Sequence, residues 1–441
     1  MRTQPPGPNG LPVVGNTYHY ARDPFDFMAA CREAYGDVVR LDMGGREAYL
    51  LTHPDTIGRV LVEDDEKFTK ARFRDDAVER LLGQGMLLSE GDLWRQQRRL
   101  AQPAFGMDRL RDLGELVTDR TASLLSGWED GDVVDVHGEM ATVTVQIITE
   151  VLFDAELTDD RAERVREALE PVGERFEPDP RRVLIPDWMP TEENRIYDDA
   201  VATLDEVVEE FVTERRRRGY AEGDDLLAIL LRAVDEGTIE AERLRDELVT
   251  MLLAGHDTTA LALTYTWYLL DEHPEARERL HDELDSVLGG ATPTVEDLPR
   301  LDYTERLLQE SMRLYPPVYS LFRQPKLDVR LDGYRIPEGA VLFLPQWVVH
   351  RDPRWWDEPD QFDPDRWIGT DADRPQYAYF PFGAGPRHCI GKHLSMMEGQ
   401  LILATVAQAF ELERVASGPL DRRGSITMHP RDPVDVRLRE R

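Results

Sequence analysis

Lysine is almost missing: of 441 residues only four are lysine, Lys67, Lys70, Lys326 and Lys392. Cationic charge of any kind is short, with 53 Lys and Arg against 86 Asp and Glu, a formal charge of −33. Such a polyanion does not neutralise phosphates, so nucleic acid is excluded as a partner. An anionic membrane surface is excluded on the same ground. Cysteine is nearly absent too. Cys31 and Cys389 make no disulfide framework, and a reducing, cytoplasmic compartment fits. No apolar run approaches the ~18 residues of a spanning helix. None precedes the Met-Arg-Thr-Gln-Pro-Pro-Gly-Pro start, so neither anchor nor signal peptide is expected. Ser/Gly linkers, repeats and low-complexity tracts are lacking, which argues for one domain over 1–441.

What is present is ample core material: 41% hydrophobic and 8% aromatic residues, unlike an acidic disordered chain. At molar ionic strength the Debye length is ~3 Å, so acidic self-repulsion is screened while the charge keeps the protein soluble. The composition resembles that of proteins from salt-accumulating microorganisms such as halophilic archaea. Helical periodicity runs through 108–127, 159–176, 197–218, 240–272, 274–288, 302–314 and 391–410. Strand signals fall at 37–42 and 47–52, and again between Val329 and Phe343 with turns at Asp332-Gly333 and Glu338-Gly339. The fold class is therefore mainly α with a small β region (α+β), and strands from both ends of the chain share one domain. The proline-rich stretch 351–388 excludes a long helix, and a long irregular segment in a compact protein is usually functional.

That stretch ends in Phe382-Gly383-Ala384-Gly385-Pro386-Arg387-His388-Cys389-Ile390-Gly391, followed by a helix. Gly383, Gly385 and Gly391 permit positive φ and close backbone approach. A helix N-terminus offers free N–H groups, so Cys389 is expected to be a low-pKa thiolate. Thiolate is a soft donor suited to iron. No second Cys or paired His stands at zinc spacing, and Pro386 occupies the place where a P-loop needs glycine. The pattern Phe-x-x-Gly-x-x-x-Cys-x-Gly has a chance expectation of roughly 3 in 10,000 here. It resembles the haem-binding loop of the cytochrome P450 family, which implies Cys389 as the axial ligand of haem b iron. The resemblance also implies that fold, with haem between a long central helix and the helix after the Cys loop.

A second segment agrees. Ala254-Gly255-His256-Asp257-Thr258-Thr259 lies in the central helix, and Ala254 and Thr258 at i and i+4 share a face. Gly255 weakens the helix locally and is expected to open its hydrogen-bond ladder. Asp257 beside Thr258 places an acid next to an alcohol. By resemblance, Ala254 leaves room for haem, and Asp257 and Thr258 deliver protons for O–O cleavage. Glu310-x-x-Arg313 recurs at ordinary surface spacing elsewhere, but here Leu314-Tyr315-Pro316-Pro317 follows it. The family pattern pairs such a motif with Arg366 in a supporting network. Trp94-x-x-x-Arg98 sets an indole and a guanidinium on one helical face. By resemblance, Trp94, Arg98, Arg323 and Arg387 contact the haem propionates, with Phe382, Gly385 and Gly391 completing the cofactor loop. His256, His350 and His388 lie at accessory positions and are read as non-ligands.

The implied activity is a haem-thiolate monooxygenase acting with O2 on a small lipophilic substrate: fatty acid, alkane, terpenoid or carotenoid-like. The alternatives are a peroxide-driven peroxygenase, which usually lacks the acid–alcohol pair, or a haem-binding sensor without turnover. Apolar pocket positions by resemblance are Leu87, Leu88, Leu252, Leu253, Val318, Leu321, Phe322 and Ile426. The resemblance extends from the prolines at 5–15 to last strands near Ser425–Met428, leaving no fused reductase. Electrons are then expected from a separate ferredoxin with its reductase, docking near Arg95, Arg99 and Lys392, and the enzyme is expected to be a monomer.

Overall fold

The structure is a computed structural model that describes residues 4–72, 76–155, 157–179, 189, 191–369 and 374–441. Its axis is the helix Ala241–Glu272, whose stretch from Thr259 to Leu270 is buried throughout. A helix apolar on all faces must be covered on all faces. Its largest neighbour is Val136–Phe153, which is equally apolar and is capped by Asp135, whose side chain accepts from the His137 and Gly138 amides. Gly255 sets how closely the two approach, because a Cβ there would overlap Ile148 Cγ1. The central helix runs unbroken past that glycine, so the expected opening of its ladder is not seen; the glycine serves packing instead.

Most helices stand where periodicity places them: Asp159–Arg175, Glu192–Arg218, Pro274–Val287, Asp302–Leu314 and Lys392–Ala409. The span 108–127 is two helices, Met107–Asp112 and Gly114–Leu125, separated at Leu113, and a Cβ on Gly114 would overlap Val295. The five-stranded sheet runs in the order Val38–Asp42, Glu47–Leu51, Val341–Leu344, Leu321–Pro325, Phe68–Lys70. Strands from both ends of the chain are thus hydrogen-bonded, with Leu50 opposite Phe343 in the parallel pair. Near the C-terminus Arg422–Gly424 pairs with Met428–Pro430, so 425–427 is the turn between them and not a strand, and the last strand is Asp435–Glu440. Among its described residues the segment 351–388 holds only short 3-10 turns, at Pro364–Trp367, Gln376–Ala378 and Gly385–Arg387.

Candidate functional site

The Cys389 loop closes on itself through the Cys389 amide, which donates to Phe382 O at 2.9 Å. Gly383 and Gly385 have φ of 69° and 70°, the left-handed region that side chains disfavour. Gly385 also passes so close to Leu61 that a Cβ would overlap its carbonyl. Gly391 differs from expectation: its φ is −86°, and its contribution is an amide donated to the Cys389 sulfur. The thiol itself is not pre-ionised. Desolvation pushes it up, against smaller opposing effects of the Gly391 amide and the Arg98 guanidinium. The low-pKa expectation is not met: Cys389 is exposed but lies three residues before the helix starts at Lys392, where the loop around its sulfur desolvates the charged form more than the nearby amide and guanidinium favour it. A metal cation would deprotonate it outright.

Beside the loop lies a concentration of cations. Lys70 and Arg323 sit directly opposite each other on adjacent antiparallel strands, an arrangement of like charges that costs stability unless an anion lies between them. Burial, with Arg323 and Arg387 nearby, pulls the Lys70 ammonium down to about 7 despite Glu90. Burial likewise lowers Arg323 to about 10, and its side chain donates to its own neighbour's carbonyl, Phe322 O, at 2.9 Å. Arg387 bonds Glu90 at 2.8 Å while its Nε is buried without an acceptor. The Trp94 ring is 5.7 Å from Arg387 and 6.0 Å from Lys70. A buried site with surplus cations and an orphaned donor fits a dianionic group such as a pair of haem propionates. Arg98 turns instead to the loop, donating to His388 O at 3.0 Å with Nη2 3.2 Å from His388 Nε2. Lys70 was missed in sequence because nothing local marks it; its signal is being one of four lysines.

On the central helix, Ala254 is exposed to the cleft and Thr258 half-buried on the same face. Thr258 Oγ1 donates back to Ala254 O at 3.1 Å. Next to it, Thr259 Oγ1 lies 3.0 Å from Ser395 Oγ, which fastens the central helix to Lys392–Ala409. Asp257 points elsewhere. Its Oδ2 accepts from Thr427 Oγ1 at 2.6 Å and lies 3.3 Å from His429 Nε2. The acid and the alcohol are adjacent in sequence, but about 100° of helical rotation separates their side chains. His429 and the two other histidines around it hold the Asp257 carboxyl well below the usual range, overriding burial. Thr427 and His429 carry no sequence signal, since their partner is 170 and 172 residues away.

Glu310 and Arg313 are fully buried and paired at 2.8 Å, and Arg366 Nε reaches the same carboxylate at 2.8 Å. The Trp367 indole and the Asp363 amide also donate to it, both at 3.0 Å. Among the pocket positions, Leu87 and Ile426 are exposed and Leu88, Leu253, Val318, Leu321 and Phe322 half-buried. Leu252 is a correction: it is 1% exposed within the main core, on the helix face away from Leu253 and Ala254. His350 Nε2 accepts from the Phe380 amide at 3.0 Å, and His388 Nδ1 lies 2.9 Å from Gly385 O. His256 is buried, and burial lowers its pKa.

Comparison with known proteins gives one family. The cytochrome P450 family model matches residues 5–434. Cyclooctat-9-en-7-ol 5-monooxygenase of Streptomyces melanosporofaciens is 35% identical, over 92% of this chain and 89% of that protein. Pentalenene oxygenase of Streptomyces avermitilis is 34% identical, over 90% and 89%. The crystal structure of a cytochrome P450DA mutant haem domain superposes with a TM-score of 0.86 at 28% identity, covering 100% of this chain and 98% of that one.

Proposed function

The chain belongs to the cytochrome P450 family, and from that premise we propose that it hydroxylates a terpenoid, with Cys389 holding the haem iron. It is a haem-thiolate monooxygenase with haem b as cofactor, O2 and a lipophilic molecule as substrates, and a redox partner as electron source. Two relatives whose names denote oxidation of terpene skeletons support the substrate class. The observation that carries the site assignment is the surplus of buried cations beside a cysteine whose sulfur already receives an amide hydrogen bond.

Bound haem, with a thiolate on its iron, supplies oxygen activation and O–O cleavage. The protein's own residues do the rest. Lys70, Arg323 and Arg387 neutralise the propionates, and Trp94 packs against two of those cations. Ala254 leaves the cleft face of the central helix low. Thr258 Oγ1 passes a proton toward the oxygen site, and Asp257, once it has left Thr427 and His429 and taken up a proton from solvent, replaces it. Glu310, Arg313 and Arg366 brace the helix Asp302–Leu314. Leu87, Leu88, Leu253, Val318, Leu321, Phe322 and Ile426 favour an apolar substrate by excluding water.

The electron donor is a ferredoxin-type protein meeting Arg95, Arg99 and Lys392, and the setting is a salt-rich cytoplasm. Among the described residues no helix is long and apolar enough to cross a membrane. The test is a ligand-induced spin-state titration in molar salt against polycyclic terpenes and fatty acids. A shift with the terpenes supports the reading, and a shift with fatty acids alone refutes it. Thr258→Ala is expected to raise peroxide release per electron consumed, and unchanged coupling would remove Thr258 from the relay.

A further inference from the structure

Three donor side chains from distant parts of the chain converge where the central helix meets the strand Met428–Pro430. His137 lies in the first turn of Val136–Phe153, Asp257 in the central helix and His429 in the strand Met428–Pro430. One donor atom from each lies within 4.8 Å of the other two. We propose that His137, Asp257 and His429 form a binding site for a divalent transition-metal ion of the zinc class, whose occupancy withdraws Asp257 from proton delivery. The second half rests on the relay reading given above, whereas the first does not.

The donor set is two imidazoles and one carboxylate, which suits zinc with a fourth position left for water or the Thr427 hydroxyl. Bonds of ~2.0–2.1 Å in a tetrahedron place ligand atoms about 3.4 Å apart. His429 Nε2 and Asp257 Oδ2 are 3.3 Å apart. Closing the set from within 4.8 Å to that spacing therefore requires a shift of at most about 1.4 Å by the His137 ring, within side-chain adjustment. The His137 and His429 rings already meet edge to face at 5.6 Å.

The tautomer set by the hydrogen bonds agrees with metal binding. His137 Nδ1 lies 3.4 Å from Thr264 Oγ1, whose own hydrogen goes to Ala260 O at 2.7 Å. Thr264 therefore accepts from Nδ1–H, leaving the Nε2 lone pair for a metal, the usual outer support for a histidine ligand. Binding needs neutral imidazole and ionised carboxylate. The ion would replace the Thr427 and His429 contacts of Asp257 with bonds that thermal motion does not break during turnover.

The experiment is calorimetric Zn2+ titration of chelator-treated, haem-loaded protein, with a millimolar Mg2+ background to occupy surface carboxylates. The expected result is one Zn2+ per chain, weakened about tenfold or more in both His137→Gln and His429→Gln. Each variant must keep the parent's circular dichroism. X-ray absorption at the zinc edge is expected to show two imidazole ligands, which a carboxylate-only surface site lacks. No binding at micromolar Zn2+, or equal affinity in parent and both variants, overturns the site. Zinc is further expected to raise peroxide release in the parent and not in His137→Gln. Site-specific binding without any change in coupling would keep the metal site and overturn the relay role of Asp257.

Discussion

Removing the Glu310 carboxylate gives the sharpest test of how the interior is held. Five donors converge on it: Arg313 through Nε and Nη2, Arg366 Nε, the Trp367 indole and the Asp363 amide, at 2.8 to 3.0 Å. Glu310 and Arg313 have side chains 0% exposed. Arg313 would keep its carbonyl acceptors, His350 O, Pro359 O and Gln361 O, and its stacking on Trp356 at 5.0 Å. It would lose its counter-charge. Breaking a buried ion pair from one side costs about 3–5 kcal/mol. Unfolding entropy of ~2.1 cal/mol/K per residue, over 441 residues, is about 0.9 kcal/mol/K.

Glu310→Ala is therefore expected to lower Tm by ~3–6 °C. An exposed carboxylate such as Glu278 is expected to cost less than ~0.5 kcal/mol when replaced by alanine. The assay is thermal unfolding by circular dichroism at one fixed scan rate, at low and at molar salt. A surface pair weakens as the Debye length falls to ~3 Å, whereas this one is shielded from the ions. The drop should thus be the same in both media. A Tm within ~1 °C of the parent, or a drop that vanishes in high salt, would refute the picture of a desolvated, charge-paired brace.

Gly255→Ala is expected to cost about 1–3 kcal/mol, because its methyl would overlap Ile148 Cγ1; urea unfolding should show the loss and Ile148→Ala in the same chain should recover part of it. Lys70 makes stability depend on pH in haem-free protein. The unfolded chain holds that proton to ~10.4, the folded one releases it near 7, so the unfolded state binds more protons between. Stability should then rise with pH from about 7 toward 10, and the slope should disappear in Lys70→Met and in the haem-loaded form. A haem-free urea midpoint that falls over this range would reverse the sign.

The cysteine loop and the Glu310–Arg313 pair were legible because each is a short pattern with close sequence spacing. The helix Val136–Phe153 was not. It is rich in Val, Ile and Thr and apolar all round, so it lacks the one-sided stripe by which helices are recognised. Leu252 was assigned to the wrong face because a position next to Leu253 differs by 100° in direction. The partners of Asp257 were hidden for a different reason. Thr427 and His429 reach it only after the hairpin of Arg422–Gly424 with Met428–Pro430 folds back onto the central helix. Long-range pairings of single polar residues leave no periodicity.

The scarcity of lysine also acquires a spatial meaning. The four lysines are not scattered. Lys67 and Lys326 belong to adjoining segments, joined by the Lys326 amide donating to Lys67 O at 2.9 Å. Lys70 lies three residues on, with its ammonium donating to Met86 O and Ser89 O at 2.6 and 3.0 Å. Lys392 opens the helix behind the cysteine, 6.0 Å from the Phe382 ring. All four therefore flank the small sheet edge or the cysteine loop. Elsewhere arginine supplies the positive charge, including the fully buried Arg313, where a planar fork can satisfy several acceptors at once. An ammonium on a flexible stem differs in one respect: it can give up its proton when buried. At Lys70, opposite Arg323, that property lets the haem-free protein relieve the repulsion between two basic side chains on facing strands. An arginine in its place would stay charged and keep the repulsion, so the residue type there follows from the electrostatics of the cleft and not from the composition of the surface.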